Sequence, residues 1–208
     1  MNSYRHLFSL VLLFAVGCAS SKMSKVSQFS DQQSQMILSG TAEDPMRVFK
    51  ITDRSDSLLL RTPSVSVEVD TSDAVFMHFV DRLYATVTDS MSLGVGIAAP
   101  QVGILKDIIW VQRLDKEDLP FEVYFNPEIT FYSEQKQDCR EGCLSIPNRR
   151  DTTKTRAYRI EVEYDKIDQK HYKESVEGFT AVIFQHEIDH LDGILYLDHL
   201  EQEVKDAE

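Results

Sequence analysis

The stretch AVIFQHEIDHL, residues 181–191, places two histidines and a glutamate among residues that are mostly apolar. Apolar residues on nearly every side of a helical projection indicate a helix that is buried on most of its faces. A polar group that is buried without a hydrogen-bond partner costs roughly 1–3 kcal/mol. These three polar side chains therefore require a specific partner, and the nature of that partner decides what the protein does.

The two histidines, His186 and His190, are four residues apart, so a helix presents them on one face. Glu187 follows the first histidine, in the arrangement H-E-x-x-H, where two imidazoles hold a metal ion and the glutamate transfers protons. The alternative is two buried histidines paired with backbone carbonyls and a glutamate in an ion pair. The occurrence of all three side chains in one apolar helix favours the metal site.

A catalytic metal site needs a third protein ligand and an open coordination position. Downstream of His190 the chain offers only acidic residues and His199. Upstream, the turn-like segment EGCLSIP, residues 141–147, contains Cys143. A thiolate at this position completes a predicted Cys-His-His site.

The remaining hydrophobic patterns predict an α+β domain. Apolar residues recur at helical spacing from residue 75 to residue 87, after the capping sequence Asp70-Thr71-Ser72, and predict a helix that ends near residue 91. The helix with the histidines should begin near Phe179 and end by Gly193. Strand patterns occur between these helices, at residues 107–112, 121–125, 128–133, 158–165 and 171–177.

Composition excludes several classes of partner and scaffold. The formal net charge of −12 argues against a nucleic-acid or anionic-membrane surface. Three cysteines are too few for a disulfide scaffold, and no internal repeat is visible. The sequence contains no indication of an oligomeric state.

Three segments resemble the signature motifs of peptide deformylases, in the order and at the separations found in that family. They are GVGIAAPQ (residues 94–101), EGCLS (residues 141–145) and QHEIDHLDG (residues 185–193). The resemblance covers about residues 46–200. It implies an α+β fold in which antiparallel sheets pack around a central buried helix that carries H-E-x-x-H. It also implies an enzyme that removes the N-formyl group from formyl-methionyl peptides or proteins.

The resemblance implies a role for each matched residue. One divalent metal ion, Fe2+ or in some members Zn2+, is expected on Cys143, His186 and His190. Glu187 is expected to act as general base and acid, and the Gln101 side chain and the Leu144 backbone N–H to bind the oxyanion. The expected substrate contacts are Gly96, Ile97, Arg150, Val182 and Ile183, the last two in the pocket for the methionine side chain.

The first residues predict a cleaved leader and an anchored protein. Residues 1–17 have Arg5 near the start and then an apolar run too short to span a bilayer, so they are typical of a signal peptide. Ala15-Val16-Gly17-Cys18 resembles a bacterial lipoprotein processing box, which implies cleavage before Cys18 and lipidation of that cysteine. The alternatives are that the segment is an uncleaved membrane anchor, or that translation begins at Met46. A lipidated protein belongs in the cell envelope, with the lipid as its only membrane contact, whereas an unused leader leaves it cytoplasmic.

The predicted domain organisation follows from these boundaries. Residues 18–45 are rich in polar residues and predict a flexible tether. Residues 46–200 form the predicted catalytic domain, and residues 201–208 a predicted acidic tail.

Two other functions stay open: an envelope metallopeptidase or amidase for another small N-acyl substrate, and a non-enzymatic lipoprotein that serves as an interaction module. Cys139 is interpreted as an exposed loop cysteine without function, although in an oxidising compartment it could bond to Cys143.

Overall fold

The computed structural model describes residues 28–90 and 94–206. The predicted signal peptide, residues 1–17, and the predicted lipidation site Cys18 lie outside the described residues. The helices of the described part are α1 (Asp31–Ile37), α2 (Arg54–Leu60), α3 (Ala74–Thr88), α4 (Gly178–Leu191) and α5 (Tyr196–Asp206), with a 3-10 helix at Ala99–Val102. The strands are β1 (Gly96–Ala98), β2 (Ile108–Gln112), β3 (Phe121–Tyr132), β4 (Lys136–Cys143), β5 (Ile146–Ala157), β6 (Arg159–Asp165) and β7 (His171–Glu177).

Two antiparallel sheets surround the histidine-bearing helix. Five strands form one sheet in the order β1-β2-β3-β6-β7, and β4 and β5 form a separate two-stranded hairpin. Helix α4 contacts both sheets and the 3-10 helix, and ten of its fourteen residues are buried. The predicted α+β class and the predicted buried helix are therefore confirmed.

Aromatic packing fixes α4 against the larger sheet. The ring of Phe184 lies 4.7 Å, centroid to centroid, from the ring of Tyr124 on β3, at a steep interplanar angle. Both side chains are fully buried, in a cluster that also contains Ile188. Because this face of α4 is anchored to the sheet, the polar face that carries the histidines is directed toward the β4–β5 hairpin.

The predicted upstream helix forms as α3, with a different cap. The carboxylate of Asp73 accepts hydrogen bonds from the backbone N–H groups of Val75 and Phe76, so the N-cap is Asp73 and not a residue of the 70–72 segment. The helix ends at Thr88, before the predicted end near residue 91. Residues 91–93 lie outside the described part.

Two predicted strands, at residues 121–125 and 128–133, are parts of the single strand β3. The register against β6 shifts between Phe125 and Glu128, on either side of Pro127. Proline cannot donate to the ladder, so a β-bulge lets the strand continue past it. The sequence had predicted two separate strands, with residues 126–127 between them.

The hairpin β4–β5 had not been predicted. Its inward positions include Cys139, Glu141 and Thr153, all buried, and most of its outward positions are polar as well. Without apolar residues at every second position, the period-2 pattern of a strand is absent. The interpretation of Cys139 as an exposed loop cysteine is therefore wrong: the residue is buried on β4, and both Cys139 and Cys143 are free thiols.

The predicted tether is partly folded. Ile37, at the end of α1, is fully buried, and the guanidinium of Arg82 on α3 donates hydrogen bonds of 3.1 and 2.9 Å to the carbonyls of Met36 and Ile37. Residues 28–45 are therefore not the flexible segment that their polar composition predicted. Residues 18–27 lie outside the described part.

Residues 201–206 of the predicted acidic tail are also folded, as the last turns of α5. The carboxylate of Glu203 accepts hydrogen bonds from the backbone N–H groups of Lys154 and Thr155 on β5, at 2.6 and 3.1 Å. This contact holds α5 on the hairpin. In residues 28–90 and 94–206, every helix is too short or too polar to cross a bilayer.

Candidate active site

The two histidines of α4 meet Cys143 at the end of β4. Cys143 Sγ lies 3.2 Å from His190 Nε2, and the rings of His186 and His190 are 5.1 Å apart, centroid to centroid. One possible ligand atom from each of the three residues lies within 4.8 Å of the others. The structure thus brings together the three side chains that the sequence had predicted as a metal site.

A buried ion pair orients His186. Its Nδ1 lies 2.8 Å from Glu141, and both carboxylate oxygens of Glu141 accept hydrogen bonds of 2.8 Å from the guanidinium of Arg156. The hydroxyl of Thr153 also donates to Glu141. A carboxylate on Nδ1 fixes the ring and its tautomer, which leaves Nε2 as the nitrogen that can bind a ligand.

Arg156 also pairs with a second carboxylate, near the end of α4. Nη1 of Arg156 donates to Asp189 at 2.6 Å, and Nε2 of His199 lies 2.8 Å from the same carboxylate oxygen. Burial raises the pKa of the Glu141 carboxyl, but His186 and Arg156 outweigh burial and hold that pKa well below its usual range. Glu141 is therefore ionised at neutral pH.

The surroundings of Cys143 favour its thiolate. Burial raises the pKa of this thiol, but His190 and His186 outweigh that effect and hold the pKa well below its ordinary value. The backbone N–H of Ser145 and Nε2 of Gln101 also donate to the sulfur, at 3.4 and 3.5 Å. The thiolate is the form of cysteine that binds metals.

The donor set fits one divalent metal ion. A thiolate with two imidazole nitrogens, in a site that opens on a cavity, is a set that zinc and other first-row divalent metals accept with a free position. Two polar atoms at this site, Oε2 of Glu187 and Nδ1 of His190 itself, are buried without a hydrogen-bond partner among the described residues. Cys143, His186 and His190 would hold such an ion, and Glu187 lies beside these three side chains.

Glu187 lies deep in the site, against β1. A Cβ atom on Gly96 would lie 2.5 Å from Glu187 Oε1, so only glycine leaves room for the carboxylate. Burial raises the pKa of Glu187 to about 7, although the nearby His186 and His190 act in the opposite direction. A carboxyl group with such a pKa can both accept and release a proton near neutral pH.

Gln101 directs its amide nitrogen into the site. Its Oε1 accepts a hydrogen bond of 2.9 Å from the backbone N–H of Ala98, and its Nε2 donates to Ser145 Oγ at 3.3 Å. Gln101 is 1% exposed, so this orientation is held by packing as well as by hydrogen bonds. The nitrogen is therefore a fixed donor beside the sulfur of Cys143.

Leu144 lies in the turn between β4 and β5, directly after Cys143. Its carbonyl accepts a hydrogen bond from Lys50 Nζ, and the carbonyl of Ser145 accepts one of 3.0 Å from the backbone N–H of Ile51. The segment before α2 therefore holds this turn in place.

The site opens into a cavity of about 740 Å³. Most of the predicted substrate contacts line it, namely Gly96, Arg150, Val182 and Ile183, together with Gln101, Leu144 and Glu187. Ile97 does not line the cavity, because its side chain points to the opposite face of β1 and is buried in the core against α3. Val95 and Gly94 line the cavity beside Gly96 instead.

Comparison with known proteins identifies the family. The family model described as polypeptide deformylase matches residues 48–206. This chain belongs to the polypeptide deformylase family. The peptide deformylase of Desulforudis audaxviator is 42% identical over 127 residues, which are 57% of this chain and 76% of the relative. The peptide deformylase of Leptospira biflexa is 32% identical over 162 residues, which are 74% of this chain and 89% of the relative.

The fold is similar to that of solved deformylases. The Met-Ala-Ser-bound class I type b peptide deformylase from Acinetobacter baumannii has a TM-score of 0.65 and 32% identity, and the similarity covers 76% of this chain and 99% of that one. The deformylase match contains all the residues of the candidate site, from Lys50 to His199, whereas α1 lies before it.

Three residues that support the site had not been predicted: Lys50, Glu141 and Arg156. Glu141 was visible only as part of EGCLS, two residues before Cys143, where a strand would direct it to the same side as the thiol. Arg156 is one of four cationic residues in the polar strand β5, with nothing local to set it apart, and Lys50 lies more than ninety residues before its partner. No local pattern in the sequence marks either of these long-range contacts.

Proposed function

We propose that this protein is a metal-dependent hydrolase that removes the N-formyl group from formyl-methionyl peptides or proteins. The observation that carries the proposal is the convergence of Cys143, His186 and His190 beside the buried Glu187 and the fixed amide of Gln101. Membership of the polypeptide deformylase family supports the same reaction.

Each side chain has a defined task in this hydrolysis. A divalent metal ion, when bound, supplies the Lewis acidity that lowers the pKa of water toward neutrality. Glu187 accepts a proton from the attacking water and later donates it to the departing amine. The C–N bond of the formamide breaks, and formate and a free amino terminus are released.

Charge that develops on the formyl oxygen needs fixed donors. Nε2 of Gln101 and the backbone N–H of Leu144 are the candidates, because both lie next to Cys143 and the first is held by packing. Removal of one such donor typically lowers the rate about 100-fold or more.

The shape of the cavity supports a peptide substrate that begins with methionine. Val182 and Ile183, one turn before His186 on α4, provide an apolar surface for the methionine side chain. Strand β1 is at the edge of the five-stranded sheet, so an extended peptide can pair with its free side. The Acinetobacter baumannii relative was solved with Met-Ala-Ser, a peptide that also begins with methionine.

The metal and the cellular location belong to the proposal as well. We propose one Fe2+ or Zn2+ ion per chain on Cys143, His186 and His190, and a lipid anchor on Cys18 that keeps the protein in the cell envelope. The support for the anchor is the sequence of residues 1–18 alone. Labelling of cells with a radioactive fatty acid tests it: Cys18→Ala should lose the label, and an unlabelled, cytoplasmic wild-type protein would exclude the anchor.

The decisive experiment measures formate release from formyl-Met-Ala-Ser and the metal content of the same sample. We expect turnover in proportion to the bound metal. Hydrolysis of unformylated or other N-acyl peptides, without release of formate, would support the metallopeptidase or amidase interpretation instead. A folded, metal-loaded protein that acts on none of these substrates would leave the non-enzymatic interaction module.

A further inference from the structure

Two arginines on the β4–β5 hairpin face the cavity without an anionic partner. Arg140 and Arg150 are exposed, and both line the cavity beside the proposed catalytic centre. Neither guanidinium has an ion pair among residues 28–90 and 94–206, although the chain has 34 acidic residues and only 22 basic ones. In so acidic a protein, unpaired cations at a cavity need a reason.

The strand register places the two arginines on the same face. Arg140 pairs with Thr152 and Gly142 with Arg150, so Arg140 and Arg150 are diagonal neighbours, which in antiparallel pairs lie roughly 7–8 Å apart, with the Cβ atoms somewhat closer. Like charges at this separation repel each other, and a carboxylate between them would relieve that repulsion.

Gly142 lets Arg150 lie across the strand. A Cβ atom on residue 142 would be 3.0 Å from Arg150 Cγ and 3.1 Å from its Nε, so a larger residue would displace the arginine. Arg149, which also lines the cavity, is different, because its Nε donates to Asp151 at 2.7 Å.

Among the described residues that line the cavity, no exposed carboxylate competes for the two arginines. The acidic residues that line the described cavity are Glu141 and Glu187, and both are buried. Glu141 is already bound by Arg156. The outer part of the cavity therefore carries a positive charge that is available to a ligand.

We infer that Arg140 and Arg150 form a subsite for a carboxylate of the substrate, two or three residues beyond the formylated methionine. The inference rests on the proposed deformylase function and names its substrate class. Arg140 precedes Cys143 by three strand residues, or roughly 10 Å, and an extended peptide covers this distance in about three residues. Guanidinium groups bind carboxylates with two parallel hydrogen bonds.

The carboxylate can come from an acidic side chain or from the C-terminus of a short formyl peptide. Four substrates separate these sources: formyl-Met-Ala-Asp-amide against formyl-Met-Ala-Asn-amide, and formyl-Met-Ala-Ser with a free terminus against its amide. We expect kcat/KM to be about tenfold higher for the charged member of at least one pair, as one charge-assisted hydrogen bond would give. The ratio of kcat/KM for the charged peptide to kcat/KM for its uncharged partner should decrease as added salt screens the charges.

Variants test whether Arg140 and Arg150 cause the preference for a substrate carboxylate. Arg140→Gln and Arg150→Gln should each reduce the ratio, and the double variant should bring it to one. Lys154→Gln is the matched control, because Lys154 is exposed on the same hairpin but does not line the cavity, and it should keep the wild-type ratio. A preference that survives in the double variant would overturn the assignment.

The outcomes distinguish the inference from the function on which it rests. Equal kcat/KM for all four peptides in the wild-type enzyme overturns the carboxylate subsite and leaves the deformylase function intact. No deformylation of any of the four peptides by metal-loaded protein overturns the proposed function itself.

Discussion

Gly96 and Glu187 share one small space, because a Cβ atom on residue 96 would lie 2.5 Å from Glu187 Oε1 and 2.9 Å from its Cδ and Cγ. The glycine belongs to β1 and the glutamate to α4, so two distant segments of the chain meet at this point. The missing side chain on the strand allows the buried carboxylate to lie beside the cavity.

Gly96→Ala should therefore inactivate the enzyme without removing the metal. The added methyl group must displace the carboxylate, and a shift of about 1 Å in a catalytic group can cost about 100-fold in rate. We expect kcat for formyl-Met-Ala-Ser to decrease by about that factor, while the metal content stays at the wild-type level. Gly178→Ala is the control: its φ of +61° disfavours alanine, but no atom lies within 4 Å of the new Cβ. It should lower stability by about 1 kcal/mol and keep kcat. Equal losses of kcat would refute the steric explanation.

Glu187→Gln tests proton transfer directly. The amide has nearly the shape of the carboxylate but cannot accept a proton, so kcat should decrease by about 100-fold to 10,000-fold. Elemental analysis should find unchanged metal, since Glu187 is not one of the three converging ligands. Asp192→Asn, which removes an exposed carboxylate at the end of the same helix, should keep both the metal and kcat. Wild-type turnover in Glu187→Gln would exclude this residue as the general base.

Elements with a clear hydrophobic pattern could be predicted from the sequence, and elements without one could not. Helix α4 was predicted because its apolar residues surround the axis, and its burial follows from that pattern alone. Strands β4 and β5 were missed because polar residues such as Glu141 and Thr153 occupy buried positions, where charge pairing replaces apolar contact. Helix α1 was missed because its segment is mostly polar, with Phe29 alone and Ile37 in one short apolar group, and their burial depends on packing against α3.

In the candidate site, residues within short motifs could be predicted, and residues that act over long sequence separations could not. The three side chains that converge occur in short motifs, so Cys143, His186 and His190 could be named from the sequence. Lys50, which bonds to the Leu144 carbonyl, acts over a long sequence separation and leaves no local pattern. Ile97 was named as a substrate contact, and the motif did not reveal that its side chain lies on the core-facing side of β1, away from the cavity.

The two cysteines of the hairpin should behave differently on substitution. Cys143→Ser removes the thiolate that converges with the imidazoles, so we expect loss of bound metal and of formate release. Cys139→Ser is the control, because Cys139 is buried on β4 and is not part of the converging set. It should keep its metal and most of its activity, and equal losses in both variants would refute the distinction.

The pKa of Cys139 gives a second, chemical test. Burial and the negative charge of Glu141 raise the pKa of this thiol to about 11. Native protein at pH 8 should therefore resist alkylation of Cys139 by iodoacetamide, whereas urea-unfolded protein should react. Because the folded-state pKa lies above the unfolded value, the thiol destabilises the fold as pH rises from about 9 to 11. Urea titrations should show that Cys139→Ala lacks this part of the alkaline loss of stability, and identical profiles would contradict the raised pKa.

Glu141→Gln should weaken metal binding although Glu141 is not one of the three converging ligands. The amide oxygen can still accept from His186 Nδ1, but the negative charge that strengthens this imidazole as a ligand is lost, and Arg156 keeps only Asp189 as an anionic partner. Loss of such a supporting group typically lowers metal affinity about 10-fold to 100-fold. Competition with a chelator measures this change.

Glu174→Gln is the matched control, because Glu174 pairs with the buried Arg113 away from the ligands. Both variants leave a buried arginine less well paired and should lose stability, whereas only Glu141→Gln should release metal at lower chelator concentrations. A similar shift in both variants would mean that general destabilisation, and not the charge on Glu141, controls metal affinity.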